Sequence, residues 1–403
     1  MDIRVVITGM GSVSSLGNTI EEMLYSLNNR IDKYERIPDD RFLTDHKLYR
    51  NNRGFIMDQE LYSSAKKDEP STMYSIACKC INEALSNALL NTEMLKKYQT
   101  GLCLGTSVGA SYIMMDRIKD QINLNKENYE FGRYTTPIMI GKIARKFRLN
   151  GTVSTISTAC ASGTNSIGRG FDLIKNGKED IMICGGIDIF TELTYSGFNS
   201  LMAISRDRCK PLANERDGMS LGDACSMLIL ESYESAKERG AKIYGEIKGY
   251  YTLNEAYHPT APHPEGIYAY KCMKNALTAS QMDIDDISYI NSHGTGTEKN
   301  DLSEIKGIEL LLKNKQAKTY VNSTKGLTGH ALGAAGSIEA IICLLSMQNS
   351  TIFANGKEYH YPPSEKIEFV NNNKKNVLIN AIISNSFGFG GNMASIIISN
   401  INN

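Results

Sequence analysis

The sequence has no excess of either charge: Lys plus Arg and Asp plus Glu each number 44. No global field draws the chain to nucleic acid or to an anionic membrane, and a charged partner must be met by a local patch. No apolar run approaches the roughly 18 residues that span a bilayer; the longest candidates, 181–190 and 338–345, are broken by Gly, Asp or Glu. Nothing at the start resembles a signal peptide, because Asp2 precedes only a short strand-like run ending at Thr8, where export needs a longer apolar region. Low-complexity tracts are absent, and 34 Gly and 9 Pro in 403 residues exclude collagen, coiled coil and disorder. Paired cysteines are lacking too. The nine thiols, at 78, 80, 103, 160, 184, 209, 225, 272 and 343, are odd in number and scattered, which is no disulfide framework. These absences predict a cytoplasmic protein with reduced thiols that binds neither nucleic acid nor membrane.

What is present is an ordinary folded composition, 41% hydrophobic and 22% charged, in a chain long enough for two or three domains or one duplicated one. Short β-branched runs alternate with longer helical stretches, the pattern of an α/β protein around a buried sheet. Strands are expected at 4–8, 101–104, 152–157, 181–184, 227–231, 287–290, 319–322, 377–384 and 394–399. Helices are expected at 19–27, 71–89, 162–176, 234–239, 268–279, 302–312 and 332–348. The chain also repeats itself. Residues 153–174 run strand, Ser-Thr, small-residue turn, Gly, long helix, and 320–345 repeat that order, with Ser323-Thr324 matching Ser157-Thr158, a sign of internal duplication. A second pairing sets 5–27 against 289–311. Two similar halves, 1–245 and 246–403, are therefore expected.

Four segments can carry chemistry. Ser157-Thr158-Ala159-Cys160-Ala161-Ser162-Gly163-Thr164 ends a strand and opens a helix. Its small residues permit a sharp turn that would seat the Cys160 sulfur at a helix N-terminus, where the dipole favours thiolate and lowers the thiol pKa. Asn291-Ser292-His293-Gly294-Thr295-Gly296-Thr297 places a histidine at a strand end in a flexible backbone, ahead of Asp301 and Glu304, a setting common at pockets. Asn322 to Gly336, with Lys325-Gly326 and Gly329-His330, invites a phosphate-loop reading and fails it, because G-x-x-x-x-G-K-[ST] is not there. Asn385-Ser386-Phe387-Gly388-Phe389-Gly390-Gly391-Asn392 offers amides that approach a ligand closely and two rings to wall a pocket. Gly9-Met10-Gly11 tempts a dinucleotide reading, but the third glycine of G-x-G-x-x-G is replaced by Ser14.

Together these segments resemble the β-ketoacyl-acyl carrier protein synthases of the elongating type, within the thiolase-like superfamily. The resemblance runs along the whole chain, through Gly9-Met10-Gly11, Glu215-Arg216-Asp217-Gly218, Ala256-Tyr257-His258 and Pro264-Glu265-Gly266. It implies an α/β, thiolase-like five-layer α-β-α-β-α fold made of two similar halves. It implies that Cys160 accepts the acyl group, that His293 and His330 assist decarboxylation of malonyl-carrier protein, and that Lys325 supports the site electrostatically. Phe389 resembles the gating phenylalanine, its N–H joining that of Cys160 in an oxyanion hole, and Glu339 matches a buried carboxylate near the lysine. Thr295, Thr297 and Phe387 fall in the supporting motifs. Degradative thiolases would carry a second cysteine in the loop that holds Phe387 and Phe389, initiating synthases an Asn at His330, and a silent chain-length partner no Cys160.

The implied partner is an acyl carrier protein bearing the phosphopantetheine arm, so no cofactor or metal of the enzyme's own is implied. Such carriers are acidic, and Lys66, Lys67, Arg206, Arg208 and Lys210 are the candidate docking charges. The chain is expected as a homodimer or as a heterodimer with a chain-length-factor homologue. It departs from the family pattern at Asn392-Met393, at Leu212-Ala213 and at Ala224-Cys225, differences that bear on substrate rather than reaction. Segments 105–110 and 197–201 look closer to synthases of polyene or polyketide pathways than to the fatty-acid enzyme.

Overall fold

A computed structural model describes residues 3–42, 46–67, 72–109, 111 and 135–401. Along the chain run β1 (Val5–Ser14), α1 (Thr72–Asn87), β2 (Thr100–Gly105), α2 (Thr136–Lys146), β3 (Val153–Ile156), α3 (Ser162–Lys175), β4 (Ile181–Asp188), α4 (Glu192–Ser200) and β5 (Ala224–Ser232). There follow β6 (Gly245–Asn254), α5 (Ile267–Ser280), β7 (Ile287–Asn291), α6 (Glu298–Leu311), β8 (Thr319–Asn322), α7 (Ala335–Gln348), β9 (Ile367–Phe369), β10 (Ala381–Phe387) and β11 (Asn392–Ser399).

These strands lie in the order β9-β8-β7-β10-β11-β6-β1-β5-β4-β2-β3. The middle of that series is thin, since β6 and β1 pair only through Val5, Val6 and Ile7 against Ile247, Glu246 and Gly245. On either side the same design appears twice. In one half β3, β2 and β4 are parallel and β5 and β1 continue antiparallel. In the other, β8, β7 and β10 are parallel and β11 and β6 continue antiparallel. Counted along each half, the spatial order is 3-2-4-5-1 both times, with β9 added at one edge.

The layers follow from which helices are apolar all round. Every residue of α7 from Ala335 to Met347 is buried, and α3 is buried over most of its length, as a helix must be that has protein on every side. These two pack on each other and on strands of both halves, α7 on β5 and β10, α3 on β4 and β11. Helix α1 covers β1 and β5 outside one sheet, and α5 covers β6 and β11 outside the other, with α6 beside it. The result is five layers, α-β-α-β-α. No helix among the described residues is long and apolar enough to cross a membrane.

The repeat joining 153–174 to 320–345 holds: β3 with α3 and β8 with α7 are topological equivalents. The pairing of 5–27 with 289–311 does not. Its first strand is β1, the inner antiparallel edge of its sheet, whereas its second is β7, a parallel strand flanked on both sides; the equivalent of β1 is β6. The first strand, expected to end at Thr8, is also longer, because β1 runs on to Ser14. A Cβ at Gly9 or Gly11 would strike the backbone carbonyls of Ala84 or Cys80 in α1, so these glycines let helix and sheet pack closely.

Candidate active site

Cys160 sits where β3 gives way to α3. Ala159 takes φ +50°, a left-handed conformation that costs a residue with a Cβ about 1–2 kcal/mol. The turn is held by Ser162, whose Oγ accepts from the Thr158 N–H at 2.9 Å and donates to the Ala159 carbonyl at 2.6 Å. Strain kept in place by such bonds is typical of functional positions, and here it aims the thiol across the sheet ends.

The His293 loop is fixed from beneath by two carboxylates in the first turns of α6. Glu304 accepts from the N–H groups of His293 and Gly294 at 2.7 and 2.8 Å. Asp301 accepts from Thr295 and Gly296 at 3.0 and 3.1 Å. Burial pushes Glu304 up to about 7 and raises Asp301. The Lys325 ammonium, buried in a single-turn helix, donates to the His293 carbonyl at 2.5 Å, pairs with Glu339 and stands 3.4 Å from His293 Nδ1. A donor facing Nδ1 keeps the imidazole proton on Nε2, so His293 is a neutral donor. His330 is held on the far side, its N–H on the Ser220 carbonyl at 2.7 Å. Its Nε2 lies 3.1 Å from Cys160 Sγ, and the two imidazole centroids are 5.2 Å apart.

Sulfur, imidazoles and the Phe389 loop share a cavity of about 500 Å³. Phe389 presents its backbone N–H to the sulfur, and its ring packs 5.6 Å from Phe198. Thr295 and Thr297, hydroxyls 2.8 Å apart, and Phe387, 6.0 Å from His293, also line the walls. One expectation is reversed here. Burial pushes the Cys160 thiol up to about 12, against the opposing pull of Lys325 and the N–H groups of Phe389 and Cys160; the helix N-terminus does not produce a resting thiolate. Burial and the Lys325 charge also hold both histidines well below their usual range. At rest the pair is therefore a neutral thiol against a neutral imidazole. The three candidate ligand atoms of Cys160, His293 and His330 lie within 4.8 Å of one another. A metal on His293 Nε2 would force a proton onto Nδ1, against the Lys325 ammonium, so the donor set suits hydrogen bonding better than a metal.

The profile of the β-ketoacyl synthase N-terminal domain matches residues 2–236, and that of its C-terminal domain matches 244–357. The chain belongs to the β-ketoacyl synthase family. It is 33% identical over 411 residues to a 3-oxoacyl-[acyl-carrier-protein] synthase 2 of Staphylococcus aureus, covering 98% of each chain. A protein of the same name from Synechocystis is 33% identical, over 96% of each chain. Among solved structures it is similar to the ishigamide ketosynthase/chain length factor (TM-score 0.89, 28% identity, 99% of this chain and 100% of that one). It also resembles a type II polyketide ketosynthase, bound to the hexaketide, in complex with its acyl-carrier protein (TM-score 0.87, 26% identity, 100% of both chains). The five layers are thus the thiolase-like fold, and the enzyme is an acyltransferase.

In this ketosynthase the residues singled out by motif converge: Cys160, His293, His330, Thr295, Thr297, Phe387 and Phe389 line one cavity, with Lys325 and Glu339 buried behind it. The docking candidates divide. Arg206 is exposed and Lys210 half-buried near the rim, while the side chains of Lys66 and Lys67 lie outside the described residues. Arg208 is a correction. It is buried, 2.8 Å from Asp32, bonded to the Gly326 carbonyl and stacked over Phe55, so its charge is spent inside the fold. Of the departures, Met393 lines the cavity; Leu212, Ala213, Ala224 and Cys225 are buried elsewhere and Asn392 half-buried beside the loop. Sequence reasoning missed Asp188, whose signal was a lone acid closing the apolar run 181–187.

Proposed function

We propose that this ketosynthase is a 3-oxoacyl-[acyl-carrier-protein] synthase that performs decarboxylative Claisen condensation in the cytoplasm. Its first half, 1–245, supplies the nucleophile and its second, 246–403, the His/Lys group and the gating loop. The observation that carries the reading is the 3.1 Å contact between Cys160 Sγ and His330 Nε2, inside a cavity that also holds a second, neutral imidazole. As sulfur attacks the acyl thioester, its proton passes to His330 Nε2, and the N–H groups of Cys160 and Phe389 receive the developing oxyanion. The phosphopantetheine thiol of the carrier leaves with that proton. Malonyl-carrier protein then loses CO2, and the enolate charge forms opposite His293 Nε2–H; His330, which has handed its proton to the departing thiol, becomes a second donor only when its remaining proton moves from Nδ1 to Nε2. The carbanion attacks the acyl carbonyl on Cys160, the C–S bond breaks, the sulfur leaves as thiolate and takes up a proton from solvent, and the 3-oxoacyl chain, longer by two carbons, remains on the carrier.

The acidic carrier docks at the rim near Arg206 and Lys210. The likeness to a ketosynthase/chain length factor favours a second assembly, in which this chain is the catalytic subunit of a heterodimer in a polyketide or polyene pathway; otherwise it pairs with itself. Cys160→Ser tests the reaction: the fold persists and condensation is lost, because a hydroxyl is a weaker nucleophile than the thiol and gives its proton to His330 Nε2 less readily. Wild-type turnover in that variant would overturn the mechanism. Mass spectrometry of Cys160 after incubation with a panel of acyl-carrier proteins identifies the chain it takes.

A further inference from the structure

Asp188, the last residue of β4, is buried, and all its partners are donors of the neutral kind. Its Oδ1 accepts from the Thr106 hydroxyl at 2.5 Å and the Val108 N–H at 3.2 Å; its Oδ2 accepts from the N–H groups of Ser107 at 2.8 Å and Gly333 at 2.6 Å. No cation is paired with it among the described residues. A buried carboxylate without a counter-ion is costly, and it is kept where its bonds fix something.

What it fixes lies on both sides of the reacting pair. On one side, Thr106 follows β2, and its carbonyl lies 3.4 Å from Ser162 Oγ, the hydroxyl that ties the Cys160 turn. On the other, Gly333 stands three residues after His330 and follows Leu332, which is held at φ +50°. Gly333 also presses on the first turn of α3: a Cβ on Gly163 would come 2.8 Å from its carbonyl. We propose that Asp188 is a positioning residue, whose carboxylate clamps the 106–108 turn to the start of α7 and so sets His330 Nε2 against Cys160 Sγ. This rests on the ketosynthase reading only for the name of the reaction it serves.

The clamp also has an electrostatic consequence. The charges facing Cys160 are Lys325, itself paired with Glu339, and Asp188, with the neutral His293 and His330 between; Asp188 opposes ionisation of the thiol. Removing the carboxylate charge therefore loosens the pair and eases thiolate formation together.

Asp188→Asn and Thr106→Val, each scored by acylation from a small thioester and by the pH profile of Cys160 alkylation with iodoacetamide, test the clamp. In Asp188→Asn, acylation falls by about 10-fold or more, and the pH at which alkylation begins its steep rise moves down by about one unit, as expected for loss of a nearby like charge. Thr106→Val keeps the charge, so acylation falls several-fold with the profile unmoved. A lower rate with no shift in Asp188→Asn reduces the residue to a structural part and overturns the electrostatic half. Wild-type acylation in Thr106→Val overturns the clamp even where Asp188→Asn fails to fold. Alkylation needs no carrier protein, so these outcomes stand apart from failure of the condensation reading.

Discussion

The neutral resting pair predicts an unusual pH profile for the nucleophile. A thiol moved from 9.0 to about 12 has its anion disfavoured by about 4 kcal/mol, which leaves roughly one thiolate in ten thousand at pH 8. Reaction through free thiolate then climbs about tenfold per pH unit through the alkaline range without levelling. Reaction assisted by His330 Nε2 behaves differently, because the imidazole is neutral throughout and its help does not vary with pH. Wild-type acylation of Cys160 from a small thioester should thus be flat from pH 6 to 9 and rise only above that. His330→Ala removes the acceptor 3.1 Å from the sulfur. It should lower the rate at pH 7 by about 10²–10⁴, the usual worth of a positioned base, and leave only the steep thiolate limb. Single-turnover acylation followed by mass spectrometry of Cys160 measures both limbs. A sigmoid in the wild type with its midpoint near pH 7 would refute the argument, since it would mean a preformed thiolate.

Other consequences are open to direct test. His293→Ala should still accept an acyl group on Cys160 while CO2 release from malonyl-carrier protein falls about 10²–10³-fold, the cost of one oxyanion donor; wild-type decarboxylation would return His293 to a structural role. Glu339→Gln leaves the Lys325 ammonium buried without its counter-ion and should cost about 3–5 kcal/mol in urea unfolding, with the double change Lys325→Met, Glu339→Met costing less than the two single changes added. Reversing Arg206 and Lys210 to Glu should weaken carrier-protein binding in a salt-dependent manner and spare transfer from a small thioester; equal loss on both substrates would point to misfolding instead. Gly163→Ala should lose soluble, active protein, because its Cβ would meet Gly333 O at 2.8 Å and Ser337 N at 3.0 Å, backbone atoms that cannot yield.

The strands and helices that bear the chemistry were legible because each pairs an apolar run with an abrupt change of composition. Cys160 at a small-residue turn and His293 ahead of Gly-Thr-Gly-Thr are local signals, and the structure keeps them local. Strand β6 was not legible. Residues 245–254 read Gly-Glu-Ile-Lys-Gly-Tyr-Tyr-Thr-Leu-Asn, too polar for a central strand, and are strand because β11 and β1 supply partners on either side. With no strand expected over 245–254, the first strand of the second half falls at β7, and β1 is matched to it instead of to β6. The thiol was misjudged for a related reason: the turn shows which helix it opens, but not the depth at which the second half covers it, and burial outweighs the dipole. Arg208 and Asp188 mark the same limit in opposite directions. A basic residue between Arg206 and Lys210 looks like surface until Asp32 and Phe55 close over it, and an acid ending an apolar strand looks incidental until the 106–108 turn and Gly333 fold onto it.

The duplication itself explains why the site lies where it does. Since β3 with α3 and β8 with α7 are equivalent, each half delivers a loop from its third strand to the start of a central helix. Those two starts meet. Gly163 in the first turn of α3 lies under Gly333 and Ser337, and a Cβ on Gly336 in α7 would strike Thr164, so glycines at matching points let the helix ends approach more closely than any side chain would permit. One loop carries Cys160 and the other carries Lys325 and His330. A nucleophile and its proton acceptor, 170 residues apart in the chain, are thereby set face to face by the packing of two equivalent helices. The loops in contact carry the reacting side chains, while Met393, from strand β11, forms part of the cavity wall away from the paired helix ends.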